Sequence, residues 1–314
     1  MRITSLLITF AVSFMLAVLP AKAADKLTVY LDWFVNPDHA PLVIAETQGY
    51  FKKYDLEVTI VPPSDPSAPP RLIAAGQGDI AISYQPQLHV QVAEGLPLTR
   101  IGTIAETPLN ALVVLKDGPI KSIADLKGKK VGFSVGGFED ALLSAMLKKH
   151  GLSLSDLELI NINFSLSPSL ITGAVDAVIG AFRNFELNQL DIEKRPGIAF
   201  YPEEHGVPVY DELIFIAKND RVDDPRFKRF IRAIEEATLW LTNHSDEALG
   251  DFLKAYPDLD NELNRRAWVD TLPRFAKRPA ALDSGRYERF ATFMKESGLI
   301  KETAPLSSYA VELK

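Results

Sequence analysis

The chain has 314 residues, 47% of them hydrophobic, with 41 acidic against 34 basic side chains and no cysteine. The acidic balance argues against a nucleic-acid or anionic-membrane partner, both of which need basic patches. The missing cysteine excludes disulfides, thiol nucleophiles, Cys-ligated metals and iron–sulfur clusters. A chain of this size can bury enough surface to fold without such staples.

The first residues read as a targeting segment. Met1 and Arg2 make a short positive start, Leu6 to Leu19 is apolar but short for a membrane span, and Ala21-Lys22-Ala23 offers a small-residue cleavage site. Residues 1–23 are therefore expected to be removed, with no cysteine behind them to carry a lipid. An exported, periplasmic protein that is not a lipoprotein is the expectation. Without Arg2 and Lys22 the balance is 32 basic against 41 acidic side chains, a formal charge of −9. The remainder has room for two domains at about 100–200 residues each.

Leu27, Val29 and Leu31 alternate with less apolar residues, which predicts an opening strand. A loop carrying Trp33, Asn36 and His39 follows, then Pro41 in the first turn of a helix that Gly49 ends. Ligands of open α/β sheets bind beyond the carboxyl ends of strands. The loop therefore places a stacking ring and two hydrogen-bonding groups at the mouth of a site. An ordinary buried tryptophan between a strand and a helix is the competing reading.

Further strands are expected at 56–61, 79–83 and 98–104, with a Pro/Ser/Asp loop over 62–70 and a short helix over 71–77. Tyr84-Gln85-Pro86-Gln87 lies at the carboxyl end of the 79–83 strand. A second set begins near Leu112, with a short helix at 123–127, a turn at Gly128 and a strand running to Ser134. A helix then starts near Phe138, behind Gly136-Gly137, and strands follow at 157–163, 177–180 and 198–201. A strand returns over 210–217 and the rest reads as helices. The stripe Phe227, Phe230, Ile231, Ile234, Ala237, Thr238 and Leu241 belongs to a core.

Alternating strands and helices predict an α/β fold. The simplest topology inserts one lobe into the other: 24–111 and 209–314 build the first, and 112–208 the second. Two crossings then make a hinge beside a cleft that can hold a ligand.

Catalytic strings are read as missing: a nucleophile elbow, a phosphate loop and His-Glu-x-x-His. The five histidines are scattered without metal-ligand spacing. No catalytic residue, metal or cofactor is expected. Glu139 and Asp140 complement the dipole of the helix they open and would repel an anionic ligand such as a sulfonate. Glu186 follows the strand that ends at Gly180 and is flanked by Phe182 and Phe185. A carboxylate there can accept the N–H groups of an amino-substituted ring in a desolvated setting. A solvated helix glutamate is the alternative.

Taken together, Leu31-Asp-Trp-Phe-Val-Asn-Pro-Asp-His39, Ser83-Tyr-Gln-Pro86, Pro108-Leu-Asn110, Asn184-x-Glu186 and Gly206-Val-Pro-x-Tyr210 resemble the ThiY-type solute-binding proteins of ABC importers, which bind thiamine pyrimidine precursors. Gly49-Tyr-Phe51, Gly78-Asp79 and Asp125-Leu-Lys-Gly-Lys-Lys-Val-Gly132 extend the similarity over essentially the whole mature chain, although these strings are common to many solute-binding proteins. The resemblance implies a type II periplasmic-binding-protein fold and a monomer that hands a formylaminopyrimidine or hydroxymethylpyrimidine to permease and ATPase subunits. In that reading Trp33 and Tyr84 sandwich the ring, and Glu186 takes the exocyclic amine. Asn36, His39, Asn110 and Asn184 serve the ring nitrogens and the tail, and Phe138 and Tyr210 complete the ligand-binding set.

The same family contains an enzyme, the fungal pyrimidine-phosphate synthase, which uses a lysine for pyridoxal phosphate just after the Gly-x-Asp strand and a cysteine-rich segment near the hinge return. Here the strand ends in Ser83-Tyr84, and Val209-Tyr-Asp-Glu-Leu-Ile holds no cysteine. A receptor is therefore expected rather than an enzyme. A binding protein for another small heterocycle, and a sensor or adaptor, remain compatible with the residues.

Overall fold

The computed structural model describes residues 23–313. The expected targeting segment lies outside the described residues, Ala23 excepted. The chain begins with β1 (Asp25–Tyr30), α1 (Ala40–Thr47), α2 (Tyr50–Lys53), β2 (Leu56–Val61), α3 (Pro69–Ala74), β3 (Ile80–Ser83), α4 (Gln85–Ala93) and β4 (Leu98–Ala105). It continues with β5 (Asn110–Leu115), β6 (Lys130–Phe133), α5 (Glu139–Lys148), β7 (Glu158–Asn161), α6 (Leu166–Ile171), β8 (Ala177–Phe182), α7 (Glu186–Ile192) and β9 (Gly197–Phe200). Then β10 (Leu213–Lys218) is followed by α8 (Pro225–Asn243), α9 (Ser245–Ala255), α10 (Glu262–Thr271) and α11 (Ser284–Glu296).

Two five-stranded sheets result, in the orders β2-β1-β3-β10-β4 and β7-β6-β8-β5-β9. In the first, β1 runs parallel to β2 and β3, while β10 runs antiparallel to β3 and β4. In the second, β6 runs parallel to β7 and β8, while β5 runs antiparallel to β8 and β9. The chain passes between the sheets twice, over 106–109 and 201–212.

The period of two in the strands sorts their side chains into separate cores. In β10, Leu213, Phe215 and Ala217 join the largest buried cluster, while Ile214 and Ile216 join a second one with Ile73, Leu88 and Tyr287. In β5, Leu112 and Val114 join the largest cluster, while Ala111 and Val113 meet Leu166, Leu170 and Leu190 in a third. Central strands covered on both faces are apolar throughout, which explains why β3 and β10 read as continuous apolar runs. On α8 the stripe named above is buried, facing α1, α2 and α9. Gly49 ends α1 because the backbone there turns left-handed, at φ +74°.

A buried arginine fastens the C-terminal segment onto the first sheet. Arg100 of β4 is fully enclosed and donates to the carbonyls of Pro279, Ala280, Ala281 and Val311 at 2.5–3.1 Å, and to the Thr103 hydroxyl at 2.8 Å. The Thr103 hydroxyl in turn donates to Asp211 at 3.0 Å, whose carboxylate pairs with Arg286. Hydrogen bonds to a charged group contribute about 1.5–3 kcal/mol each and do not simply add. Arg100→Met should therefore lower the unfolding free energy by at least about 3 kcal/mol in urea titration. A loss below about 1 kcal/mol would show that the segment is held by its apolar contacts alone.

Candidate functional site

The parallel strands of both sheets aim their carboxyl ends at one narrow, nearly closed cavity, with about 20 Å³ accessible to the centre of a water molecule. Asp32, Trp33, Asn36 and Asp38 come from the loop after β1, and Tyr84 from the end of β3. Glu139 follows β6, Leu166 follows β7, and Gly180, Phe182, Phe185 and Glu186 come from β8 and the turn behind it. Each sheet thus supplies part of the wall.

One network sets the first wall. The Asn36 backbone N–H donates to His39 Nδ1 at 3.2 Å, so the proton of the neutral ring sits on Nε2, which donates to Asp32 Oδ1 at 3.0 Å. The Tyr84 hydroxyl donates to Asp32 Oδ2 at 2.9 Å. Burial, then the Asp32 charge, holds the Tyr84 hydroxyl pKa well above its ordinary value. One face of the Tyr84 ring stacks on Phe138 at 4.6 Å and 11°. Trp33 meets Phe164 edge-on at 4.7 Å, and Phe34 meets Phe164 at 4.3 Å, so rings from the two sheets' loops touch beside the cavity.

The other walls are acidic. The Glu186 carboxylate accepts from the Phe182 N–H at 2.6 Å, and Glu139 accepts from the Ser134 N–H at 2.7 Å. Burial pushes both up to about 8, since removing a carboxylate from water disfavours its charge. Asp38 accepts from the Asn184 amide at 2.6 Å and the Thr271 hydroxyl at 3.2 Å, and burial pushes it up to about 6. Gly180 makes room for this arrangement. Its backbone is at φ +98°, and a Cβ there would overlap the Glu139 carboxyl group.

The structure distributes the residues singled out by sequence as follows. Trp33, Asn36, Tyr84 and Glu186 line the cavity. His39 is buried behind it, holding Asp32, and Asn36 spends its amide on Asp38 N and the Phe34 carbonyl. Phe138 backs Tyr84, and Asn184 ties Asp38 to Thr271 of α10, leaving its own Oδ1 unpartnered. Asn110 accepts from the Gly180 N–H at 3.2 Å, and Tyr210 packs edge-on against Phe290 in the core. His39, Phe138, Asn184, Asn110 and Tyr210 are not in the cavity wall.

Sequence reasoning misses Asp32, Asp38 and Leu166, and assigns Glu139 to the helix dipole alone. The position of Glu139 at the first turn, behind a Gly-Gly pair, gives no sign that its side chain folds back under Ser134. One catalytic string does occur after all: Gly132-Phe-Ser-Val-Gly136 has the spacing of a nucleophile elbow. Ser134 is buried and donates its hydroxyl to the Asn163 carbonyl, with no histidine bonded to it, so the string builds no triad.

Raised carboxyl pKa values have a stability consequence. Between about pH 4.5 and 8 the folded protein holds protons on Glu139 and Glu186 that the unfolded chain has released. Stability from these groups is greatest at the acid end and is lost as pH rises, by up to about 1.4 kcal/mol per pH unit for each. Urea unfolding of the ligand-free protein should show this decline from pH 5 to 8.5, and Glu139→Gln should make it shallower by up to about 1.4 kcal/mol per pH unit. A stability that is level or rises over that range would contradict the burial of these acids.

Comparison with known proteins follows the same lines. Residues 36–248 match the family described as NMT1/THI5 like. The chain is 54% identical over 98% of both chains to a Haemophilus influenzae protein named "Putative thiamine biosynthesis protein". It is 32% identical to the formylaminopyrimidine-binding protein of Halalkalibacterium halodurans, over 74% of this chain and 71% of that one. A 4-amino-5-hydroxymethyl-2-methylpyrimidine phosphate synthase of Legionella pneumophila is 25% identical over 87% of this chain and 88% of that one. Among solved structures, the alkanesulfonate-binding protein SsuA from Xanthomonas axonopodis pv. citri bound to MOPS superposes with a TM-score of 0.72 at 15% identity, over 92% of this chain and 99% of that one. The chain belongs to the NMT1/THI5-like family and has the type II periplasmic-binding-protein fold.

Proposed function

We propose that this chain is the exported solute-binding receptor of an ABC importer, and that it captures a thiamine pyrimidine precursor of the formylaminopyrimidine or hydroxymethylpyrimidine type for delivery to the permease. The observation that carries the reading is Glu186: a buried carboxylate at the carboxyl end of β8, in a narrow cavity walled by Trp33, Tyr84, Phe182 and Phe185. A flat ring with an amino edge satisfies both parts of that wall, by stacking and by hydrogen bonds to the Glu186 carboxyl oxygens. The name of the Halalkalibacterium relative supports the same ligand class. A sulfonate, by contrast, would face four carboxyl side chains. The apolar start of the chain supports export.

A synthase on the same scaffold is the second reading, favoured by relatives that carry that name. Among the described residues no lysine lines the cavity, and the chain holds no cysteine. Incubation with a pyrimidine precursor should leave it unchanged by mass spectrometry, and product formation would favour the synthase.

Calorimetric titration tests the site. Above pH 8, where the Glu186 carboxyl is charged, Glu186→Gln leaves one amide oxygen in place of two carboxylate oxygens and should weaken pyrimidine binding about ten- to a hundredfold. Trp33→Ala should cost a comparable factor through the lost ring face. Mutants that bind like wild type would place the site elsewhere. The two crossings should also let the lobes close on the ligand. X-ray scattering should then give a smaller radius of gyration in the complex, and identical curves at saturation would count against closure.

A further inference from the structure

We infer that a seam of hydrogen bonds outside the cavity, running from Asn184 along α7 onto α10, holds the two lobes together, so that Asn184 and Asn188 act as positioning residues that set how long a ligand stays without touching it. The inference rests on the receptor reading above and on closure at the two crossings.

The seam joins elements that belong to different sheets. In the second, α7 packs on β8 and β9, and its Leu190 is buried with Ala111 and Val113 of β5. The first lobe carries α10: the Trp268 ring packs against Phe252 of α9 at 5.6 Å, and its indole N–H donates to the Ser245 hydroxyl at 3.1 Å. Helix α9 in turn lies on α1.

Three rungs cross between the two helices and the loop after β1. At the inner end, Asn184 Nδ2 donates to Asp38 Oδ1 at 2.6 Å and to the Thr271 hydroxyl oxygen at 2.7 Å. All three residues are no more than 2% exposed. One turn further on, Asn188 Nδ2 divides its hydrogens in the same way, between the Asn184 carbonyl at 2.9 Å and Asp270 Oδ2 at 2.7 Å. At the outer end Arg266 joins Asp191 at 2.7 Å and Glu262 of its own helix at 2.5 Å. Asn188 and Asp191 share one face of α7, and Arg266 and Asp270 share one face of α10, because side chains three or four apart are neighbours on a helix. The buried inner rung carries most of the grip, since an exposed ion pair adds little.

Seam and cavity have common supports. Glu186 lines the cavity from the first turn of α7, between Asn184 and Asn188 in the chain, and Asp38 belongs to the loop that carries Trp33. A closing motion that brings Glu186 toward Trp33 therefore brings Asn184 onto Asp38. Ligand contacts and seam contacts then favour the same closed form, and a larger closed fraction raises the apparent affinity in proportion. Neither Asn184 nor Asn188 is in the cavity wall, so their effect reaches the ligand through closure.

The test takes 4-amino-5-hydroxymethyl-2-methylpyrimidine as probe and follows its association and dissociation by stopped-flow tryptophan fluorescence. Asn188→Ala should raise the dissociation rate about two- to tenfold and Asn184→Ala at least about tenfold, with association within about twofold of wild type. Association slowed with dissociation unchanged, or both variants releasing like wild type, would overturn the seam. A second measurement needs no ligand. The chain has no cysteine, so spin labels on Lys52→Cys and Glu158→Cys, at exposed positions of the first and second lobes, report the lobe separation. The ligand-free protein should show a short-distance component that Asn188→Ala reduces several-fold. A component that the substitution leaves unchanged would overturn the seam whatever the probe does. If the probe fails to bind wild type while the short component responds to Asn188→Ala, the pyrimidine reading falls and the seam stands.

Discussion

A carboxylate removed from water needs hydrogen bonds or an opposite charge, and the cleft of this protein holds four acidic side chains that must meet that condition together. Asp32 takes a histidine N–H and a tyrosine hydroxyl. Asp38 takes an asparagine amide and a threonine hydroxyl, and Glu139 and Glu186 each take a backbone N–H. Much of the local architecture follows from supplying those partners. The turn at residues 37–39 carries His39 into place, α10 contributes Thr271, and the left-handed glycine at 180 clears the space that the Glu139 carboxyl occupies.

The same condition links the site to the two-sheet architecture. Asp38 follows a strand of the first sheet, and Asn184, its donor, follows a strand of the second. Trp33 and Phe34 reach Phe164 across the same boundary, and Trp33 packs against the buried cluster of the second sheet. At the crossings, Glu212 accepts from the N–H groups of Leu109 at 2.6 Å and Asn110 at 2.9 Å, so the two connecting segments are fastened to each other. The cavity is complete where strand ends from both sheets meet. A flexing of the crossings would open and close its wall, which is what a capture-and-release receptor requires.

The strands were legible because their periodicity is a local property. Leu56–Val61 alternates, β3 and β10 are apolar up to their last residue, and the α8 stripe repeats at helical spacing. The residues near the cleft were legible where chemistry stood out at a strand end: an indole at 33, a phenol at 84, a carboxylate just after two phenylalanines at 186. Which of them would face the cavity was not, because that depends on partners distant in sequence. Nothing in the loop after β1 signals that His39 turns inward to Asp32, or that Asp38 will find Asn184, 146 residues away. Glu139 illustrates the limit most plainly. Its place in a first helical turn is explained by the helix dipole, and only the fold brings Ser134 N–H and Gly180 against it.

Relatives on this scaffold differ in ligand while sharing a fold, so the content of the cavity, more than its shape, has to decide what is bound. Here that content is two aromatic faces and four acidic side chains. The most direct measurement is a crystal structure of the protein with 4-amino-5-hydroxymethyl-2-methylpyrimidine, chosen because the ring is common to every candidate. The account predicts the ring between Trp33 and Tyr84, with its amino nitrogen within hydrogen-bond distance of Glu186. A ring bound outside this cavity, or one that turns its amino edge away from Glu186, would contradict it.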